Sequence, residues 1–207
     1  QIEIVKAIKP CLNKLNILIQ NRKKYNLILN KELSITYDLY QAKDVPISNC
    51  IGYISGNSGL TEEFIYHTLQ FSGTNYIVLS SATEDRTMMG KIPYCKIGNK
   101  NLKVFENKPG LLVTRNGKAG MTRYLEQGKY TINDHAYILF ILDNCPYNID
   151  LRWLAIQYRS TFLEYSSSSD NGTWNMTGFF KHARIDIPKN SEQMKIVALY
   201  EKLEKRI

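Results

Sequence analysis

No stretch of about 18 apolar residues occurs in the sequence, so nothing in it reads as a membrane-spanning helix. The first residues alternate charge with isoleucine, which is not the pattern of a signal peptide. Cysteine is sparse: Cys11, Cys50, Cys95 and Cys145 stand far apart with no paired spacing, so neither a zinc site nor a disulfide framework is indicated. Thiols in a reducing cytoplasm are the expectation. Histidine is sparser still. His67, His135 and His182 are isolated and show no metal-ligand spacing. A nuclease needs clustered carboxylates to hold its metal, and the most basic part of this chain has almost none. These absences favour a binder over an enzyme, with no catalytic residue, metal or cofactor expected.

Hydrophobic residues make up 43% of the 207 and charged residues 22%, enough apolar material for one globular domain of fair size or a domain with a helical appendage. The net charge is +8, and its placement says more than its size. Between Arg86 and Lys129 stand ten Lys or Arg (86, 91, 96, 100, 103, 108, 115, 118, 123, 129) against two acids, Glu106 and Glu126. The remaining 17 basic and 17 acidic residues cancel, so the whole excess falls in that stretch. Such a footprint suits a polyanion; the alternative is a solvated basic face without a ligand.

The ends of the chain resemble each other. Gln1-Ile-Glu-Ile4-Val5 repeats the Gln-x-x-Ile-Val of Gln193 to Val197. In step with it, Ile4, Ile8, Cys11 and Leu15 correspond to Ile196, Tyr200, Leu203 and Ile207, a 4-3-4 spacing that lines one helix face. The N-terminal seam continues through Leu18, Arg22, Tyr25 and Leu29, interrupted by Arg22 and by Pro10, and needs a partner helix to be stable in water. The expected packing residues are thus Ile4, Ile8, Leu15, Leu18 and Tyr25 in one helix and Ile196, Tyr200 and Leu203 in the other. One structural unit ends where it began. With Gln rather than Met at position 1, the sequence reads as a fragment of something longer, cut from or joined into a repeat. The expected organisation is a helical spacer or dimerisation region over 1–49, a globular domain over 50–190, and the start of a second helix over 191–207.

Between Lys31 and Asn49 the pattern loses period, and Val45-Pro46 with Ser48-Asn49 reads as a connector; the globular part begins after it with Gly52 to Thr61 as a glycine-rich turn and Thr61 capping a helix over Glu62 to Leu69. A glycine-rich loop ahead of a helix suits phosphate, yet this one lacks the Lys-Ser/Thr of a P-loop and the glycine spacing of a dinucleotide fingerprint. Strand-prone runs follow at Tyr76–Leu79, Ile92–Ile97, Leu102–Phe105, Gly110–Thr114, Met121–Leu125 and Tyr137–Leu142, separated by Gly, Asn, Pro and Lys turns. Asp150 caps a helix from Leu151 to about Tyr165. Thr173 to Thr177 leads into a last strand, Ala183–Ile187, and Ser191-Glu192 opens the closing helix. The fold class is therefore α+β: a mixed, mostly antiparallel sheet domain with short helices, flanked by long coiled-coil-like helices from both ends.

The loop Val113-Thr114-Arg115-Asn116-Gly117-Lys118-Ala119-Gly120 is the strongest local candidate for contact. Arg and Asn are the side chains that read guanine and adenine edges with paired hydrogen bonds, and glycines let backbone amides approach phosphate. The alternative is a plain Asn-Gly hairpin turn with solvated Arg115 and Lys118. Its Gly-x-x-Gly resembles the clamp of a KH module, but that module sets the loop between helices, not strands. Asn144-Cys145-Pro146-Tyr147 resembles the Asn-Pro-Pro-Tyr motif of amino-group DNA methyltransferases, with Cys in place of the first Pro and no methyl-donor Gly-x-Gly upstream; a turn after a strand accounts for it. Trp174 is either a core anchor or an exposed aromatic near a ligand, and Lys181 beside it suits phosphate. The candidate nucleic-acid contacts are Arg86, Lys91, Lys96, Arg115, Asn116, Lys118, Arg123, Trp174, Asn175 and Lys181, with base reading assigned to Arg86, Arg115, Asn116, Arg123 and Asn175.

Taken together, the Gly56–Thr61 turn, Pro109-Gly-Leu-Leu-Val-Thr-Arg-Asn-Gly117-Lys-Ala-Gly120, the Leu151-Arg-Trp-Leu helix, and Ile185-Asp-Ile-Pro188 followed by Ser191-Glu-Gln193-x-x-Ile196-Val197 resemble the target recognition domain of Type I restriction-modification specificity subunits, or of the related Type II enzymes. The likeness covers roughly residues 50 to 207, and residues 1 to 49 resemble the long helix that precedes such a domain. It implies a non-catalytic reader of double-stranded DNA in the cytoplasm that binds one half of a split target. It also implies helices that dock methyltransferase subunits and, through them, a restriction subunit. A complete subunit has two recognition domains and this sequence has one, which implies a half-subunit that pairs with a copy of itself or a piece of a longer protein. An RNA-binding module and a part of a fused restriction-methylation enzyme remain as alternatives.

Overall fold

The computed structural model describes residues 20–22, 39–68, 75–83, 88–167 and 172–204. The chain divides into two compact units, Gln1–Leu39 and Tyr40–Ile207. In the first, residues 20–22 are helical; the seam expected at Ile4, Ile8, Leu15, Leu18 and Tyr25 lies outside the described residues, as does Arg86.

The second unit runs β1 (Tyr40–Pro46), a 3-10 turn (Ile47–Asn49), β2 (Ile51–Ser55), α1 (Glu62–Thr68), β3 (Asn75–Leu79), β4 (Met88–Pro93), β5 (Lys96–Ile97), β6 (Lys100–Asn101), β7 (Phe105–Glu106), β8 (Gly110–Thr114), β9 (Thr122–Leu125), β10 (Lys129–Ile132), β11 (Ala136–Ile141), α2 (Leu151–Gln157), α3 (Arg159–Glu164), α4 (Met176–His182), β12 (Arg184–Pro188) and α5 (Asn190–Glu204). One four-stranded sheet has the order β2-β11-β8-β9, all antiparallel; the other has β4-β3-β10-β7, with β10 parallel to β3. The domain is thus mixed α+β with mostly antiparallel sheets. Among the described residues no helix is long and apolar enough to cross a membrane.

β8 is buried along its whole length, which is why Gly110-Leu-Leu-Val-Thr114 reads as an unbroken apolar run rather than an alternating one. Its Leu112 joins Leu79, Phe105, Ile132 and Ile138 in the main core, and Leu60, Ile65, Val78 and Ile92 form a second cluster under α1. Each such side chain contributes about 1.5–3 kcal/mol by leaving water. A third core is aromatic: Trp174 stacks on Phe162 and lies 4.9 Å from Phe179, and its indole N–H donates to the Phe162 carbonyl at 2.9 Å. Cys50 and Cys145 meet where β2 begins and β11 ends; burial and the neighbouring Cys145 push the Cys50 thiol up to about 12, so it stays protonated.

Several expectations are corrected. Residues 40–49 are not a connector: β1 pairs antiparallel with β12, and the 3-10 turn follows it. Gly52 to Ser55 belong to β2, and only Gly56 to Gly59 turn. The strands expected at Ile92–Ile97 and Leu102–Phe105 are instead β4, which ends at Pro93, and the short β5, β6 and β7. The helix expected from Leu151 to Tyr165 breaks at Tyr158, which ends α2 and opens α3. There the Tyr158 hydroxyl accepts from the Asp186 N–H at 2.6 Å, and burial pushes it up to about 12. The segment before the last strand is a helix, α4, capped by Asn175. On α5 the buried residues are Gln193, Ile196 and Val197. Ile196 of the expected seam is therefore already covered by this domain, whereas Tyr200 and Leu203 are half-buried.

Asp150 caps α2 as expected, accepting from the Arg152 N–H at 2.8 Å, and its other oxygen meets the Arg152 guanidinium at 2.7 Å. Burial raises the Asp150 carboxyl, but Arg152 and the backbone N–H groups of Arg152 and Trp153 outweigh that and hold it below the usual carboxylate range. A lowered folded pKa adds stability above the unfolded value, about 4, and that stability is lost as pH falls through the folded value. Asp150→Asn keeps a cap acceptor and removes the charge. It should melt below wild type at neutral pH, by about 1 kcal/mol, and the gap should close on acidification below about pH 4. A gap constant through the acid range would show that the charge contributes nothing.

Candidate nucleic-acid interface

Three connections converge at one end of the central sheet and are tied together residue by residue. Thr114, the last residue of β8, is buried; its hydroxyl accepts from the Ala82 N–H at 2.9 Å and so fixes the chain as it leaves β3. Next along the β8–β9 connection, Arg115 donates its backbone N–H to the His135 carbonyl at 2.8 Å and accepts from the Trp174 N–H at 2.7 Å. Its Nη1 reaches the Asp134 carbonyl at 3.3 Å, and its guanidinium lies 5.8 Å from the centre of the Tyr137 ring. Its Nε is buried without a hydrogen-bond partner.

Asn116 forms an isolated antiparallel bridge with Thr173. Its Nδ2 lies 3.1 Å from His135 Nδ1, and its Oδ1 accepts from the Thr173 hydroxyl at 3.4 Å. An amide nitrogen only donates, so His135 Nδ1 accepts and the ring proton sits on Nε2. That nitrogen lies 3.9 Å from an Asp134 carboxylate oxygen. Gly117 takes the left-handed φ of +81° within the β8–β9 connection, and its N–H donates to the Gly172 carbonyl at 3.0 Å. Lys118 at the tip is exposed. The hairpin turn and the candidate contact loop are one object. The turn is pinned at its base and carries charge at its rim.

Of the residues expected to touch nucleic acid, the structure brings Arg115, Asn116 and Lys118 together. Arg86 is outside the described residues, Trp174 meets Arg115 through its backbone N–H, and the remaining candidates lie on different elements. Lys91 is exposed on β4 opposite Ile77, Lys96 is exposed on β5, Arg123 is exposed on β9 opposite Leu112, and Lys181 is exposed in the last turn of α4. Trp174 is the core anchor of the two alternatives, 2% exposed. Asn175 Oδ1 accepts from the Gly178 N–H at 2.8 Å as the α4 cap. Besides Arg115, two lysines of the basic stretch have partners inside the fold. Lys103 Nζ donates to the Ser55 hydroxyl at 2.8 Å, and Lys108 Nζ lies 3.5 Å from Asp143 and over the Phe140 ring. His135, Asp134 and Thr173 were not among the candidates. Asn133-Asp134-His135 is visible in sequence as a turn cap, a role Asn133 fills by accepting from the His135 N–H. Thr173 gave no signal.

Among solved structures, the S subunit of a Type I restriction-modification system from M. genitalium matches 84% of this chain and 41% of its own, with a TM-score of 0.53 at 14% identity. The HsdS subunit from Thermoanaerobacter tengcongensis matches 98% of this chain and 49% of its own, with a TM-score of 0.59 at 15% identity. The fold is that of a Type I restriction-modification S subunit. A third structure with this fold, a chain of a type I system solved for its complex assembly and conformational transition, matches 99% of this chain at 18% identity with a TM-score of 0.57, over 51% of its own length. The chain spans about half the length of the S subunits it matches. No family model matches the sequence, and no curated protein does.

Proposed function

We propose that this chain is a non-catalytic reader of double-stranded DNA that supplies specificity to a restriction-modification system. It binds one half of a split target and presents it to methyltransferase subunits and, through them, to a restriction subunit. The observation that carries this reading is the confinement of the whole +8 charge to residues 86–129, the stretch that supplies the pinned Arg115–Lys118 loop on an S-subunit fold. Phosphate contacts from Lys118 and other exposed lysines of that stretch would hold the duplex, and a few side chains at the loop end would read bases. The segment ahead of β1 and the far end of α5 would be the struts that dock partner subunits and a second recognition domain. Ile4, Ile8, Leu15, Leu18 and Tyr25 supply the packing seam of one strut, and Tyr200 and Leu203 that of the other. The working place of such a protein is the cytoplasm.

Selecting bound oligonucleotides from a random duplex pool tests the reading. One enriched motif is expected, with an affinity that falls with salt at a logarithmic slope of about −0.9 per phosphate contacted. Equal enrichment of all sequences, or displacement of the duplex by RNA at equal concentration, would sink it. Incubation of the chain alone with DNA, magnesium and methyl donor should leave the DNA unchanged.

A further inference from the structure

Resting on that reading, we infer that Arg115 reads a guanine in the target and that Asn116, His135 and Thr173 are positioning residues that hold the Arg115 loop. The two neighbours Arg115 and Asn116 are equivalent candidates by residue type, and the structure separates them. Asn116 has both ends of its amide committed, Nδ2 toward His135 Nδ1 at 3.1 Å and Oδ1 to the Thr173 hydroxyl at 3.4 Å. Reading adenine takes the same two atoms in a bidentate pair, so Asn116 reads a base only by giving up both partners. Arg115 is differently placed. A guanidinium carries five N–H groups; the Asp134 carbonyl accepts from Nη1 and the Nε–H is buried. Three N–H groups on Nη1 and Nη2 are left, the pair of nitrogens that meets guanine O6 and N7 end-on.

The guanidinium is also held before any ligand arrives. The Tyr137 ring lies beside it, the Asp134 carbonyl anchors Nη1, and both backbone groups of Arg115 are bonded, to His135 and to Trp174. His135 therefore acts on Arg115 from two sides: its carbonyl holds the Arg115 N–H, and its ring holds the next residue's side chain. Thr173 closes the arrangement from the α3–α4 connection. An arginine held this way spends less conformational entropy on binding than a free one, and the geometry favours one base.

The test uses the full chain and the motif selected from the random duplex pool, with each base pair of that motif replaced in turn and binding measured for each duplex. Arg115→Lys, which loses the paired donors, should flatten the preference at one G·C pair by about tenfold or more. His135→Ala and Thr173→Val should flatten the same pair by roughly tenfold and leave the others unchanged. His135→Asn, which places an acceptor near the Nδ1 position, should restore the preference. The His135 side chain is 56% exposed, so its truncation opens no cavity, and an unchanged melting temperature checks that the fold is intact. If His135→Ala weakens every duplex equally, or Asn116→Ala alters a different base pair from Arg115→Lys, the inference is overturned while DNA recognition stands. A wild-type pool with no enriched motif overturns both.

Discussion

Replacing Gly56 by alanine should prevent this domain from folding. A Cβ at Gly56 would lie 1.7 Å from the Asn133 carbonyl oxygen and 2.3 Å from its carbon. Both are backbone atoms and cannot rotate aside. The approach is required locally, because Asn57 bridges Asn133 in parallel and donates its N–H to the Ile132 carbonyl at 2.8 Å. Asn57 is itself buried. Its Nδ2 donates to Thr131 Oγ1 and to the carbonyls of Ile132 and Lys103, and its Oδ1 accepts from the Lys103 N–H at 2.8 Å. Pushing the two chains apart to admit a methyl group would break that set together. The expected loss exceeds about 4 kcal/mol, most of a typical domain's stability, and appears as insoluble or unfolded protein. Gly117→Ala is the control: φ is +81° but nothing lies within 4 Å of the added Cβ, so it should cost only about 1 kcal/mol. A soluble Gly56→Ala chain melting near wild type would disprove the close approach.

Gln193→Ala should be nearly as damaging, for a chemical rather than a steric reason. Gln193 is fully buried; its Nε2 donates to the Asn148 carbonyl at 2.7 Å and the Pro188 carbonyl at 2.9 Å, and its Oε1 accepts from the Asp150 N–H at 2.7 Å. One side chain thus joins the end of β12, the start of α2 and the first turns of α5. Its loss leaves a buried N–H without a partner and a cavity beside it, for about 3–5 kcal/mol, or roughly 10 °C in melting temperature for a chain of this size. The exposed Gln41 donates to the same two carbonyls, at 2.9 and 2.8 Å. Gln41→Ala should cost about 1 kcal/mol or less. Melting curves decide it: if the two variants unfold at the same temperature, burial of Gln193 is not what fixes α5.

These two residues show what sequence reading sees. Gln193 stands out because it sits in Glu-Gln-x-x-Ile-Val, and the structure gives that motif a task in anchoring a helix to its own domain. Gly56 is visible as part of a glycine-rich turn, but sequence cannot say that the residue against it is Asn133, far along the chain. The strands β3, β8 and β11 are legible because two-sided burial makes them near-continuous apolar runs. β1, Tyr-Gln-Ala-Lys-Asp-Val-Pro, is not. It pairs only with β12, shifts register twice, and carries Asp44 at φ 52°, so no period survives in its sequence. α4 escaped because Gly178 and two phenylalanines are poor helix formers, and the Asn175 cap and the aromatic core hold it instead. At the loop end, residue type marked Arg115 and Asn116 alike. Only the placement of His135 and Thr173 distinguishes them, and both come from other connections.

The antiparallel pairing of β1 with β12 sets Tyr40 beside Pro188, so the first strand of this body starts about 5 Å from where its last strand ends, and α5 packs back onto the body from there. A transplanted copy therefore has to carry α5 with it, because a segment ended at Pro188 would lose the buried Gln193, Ile196 and Val197.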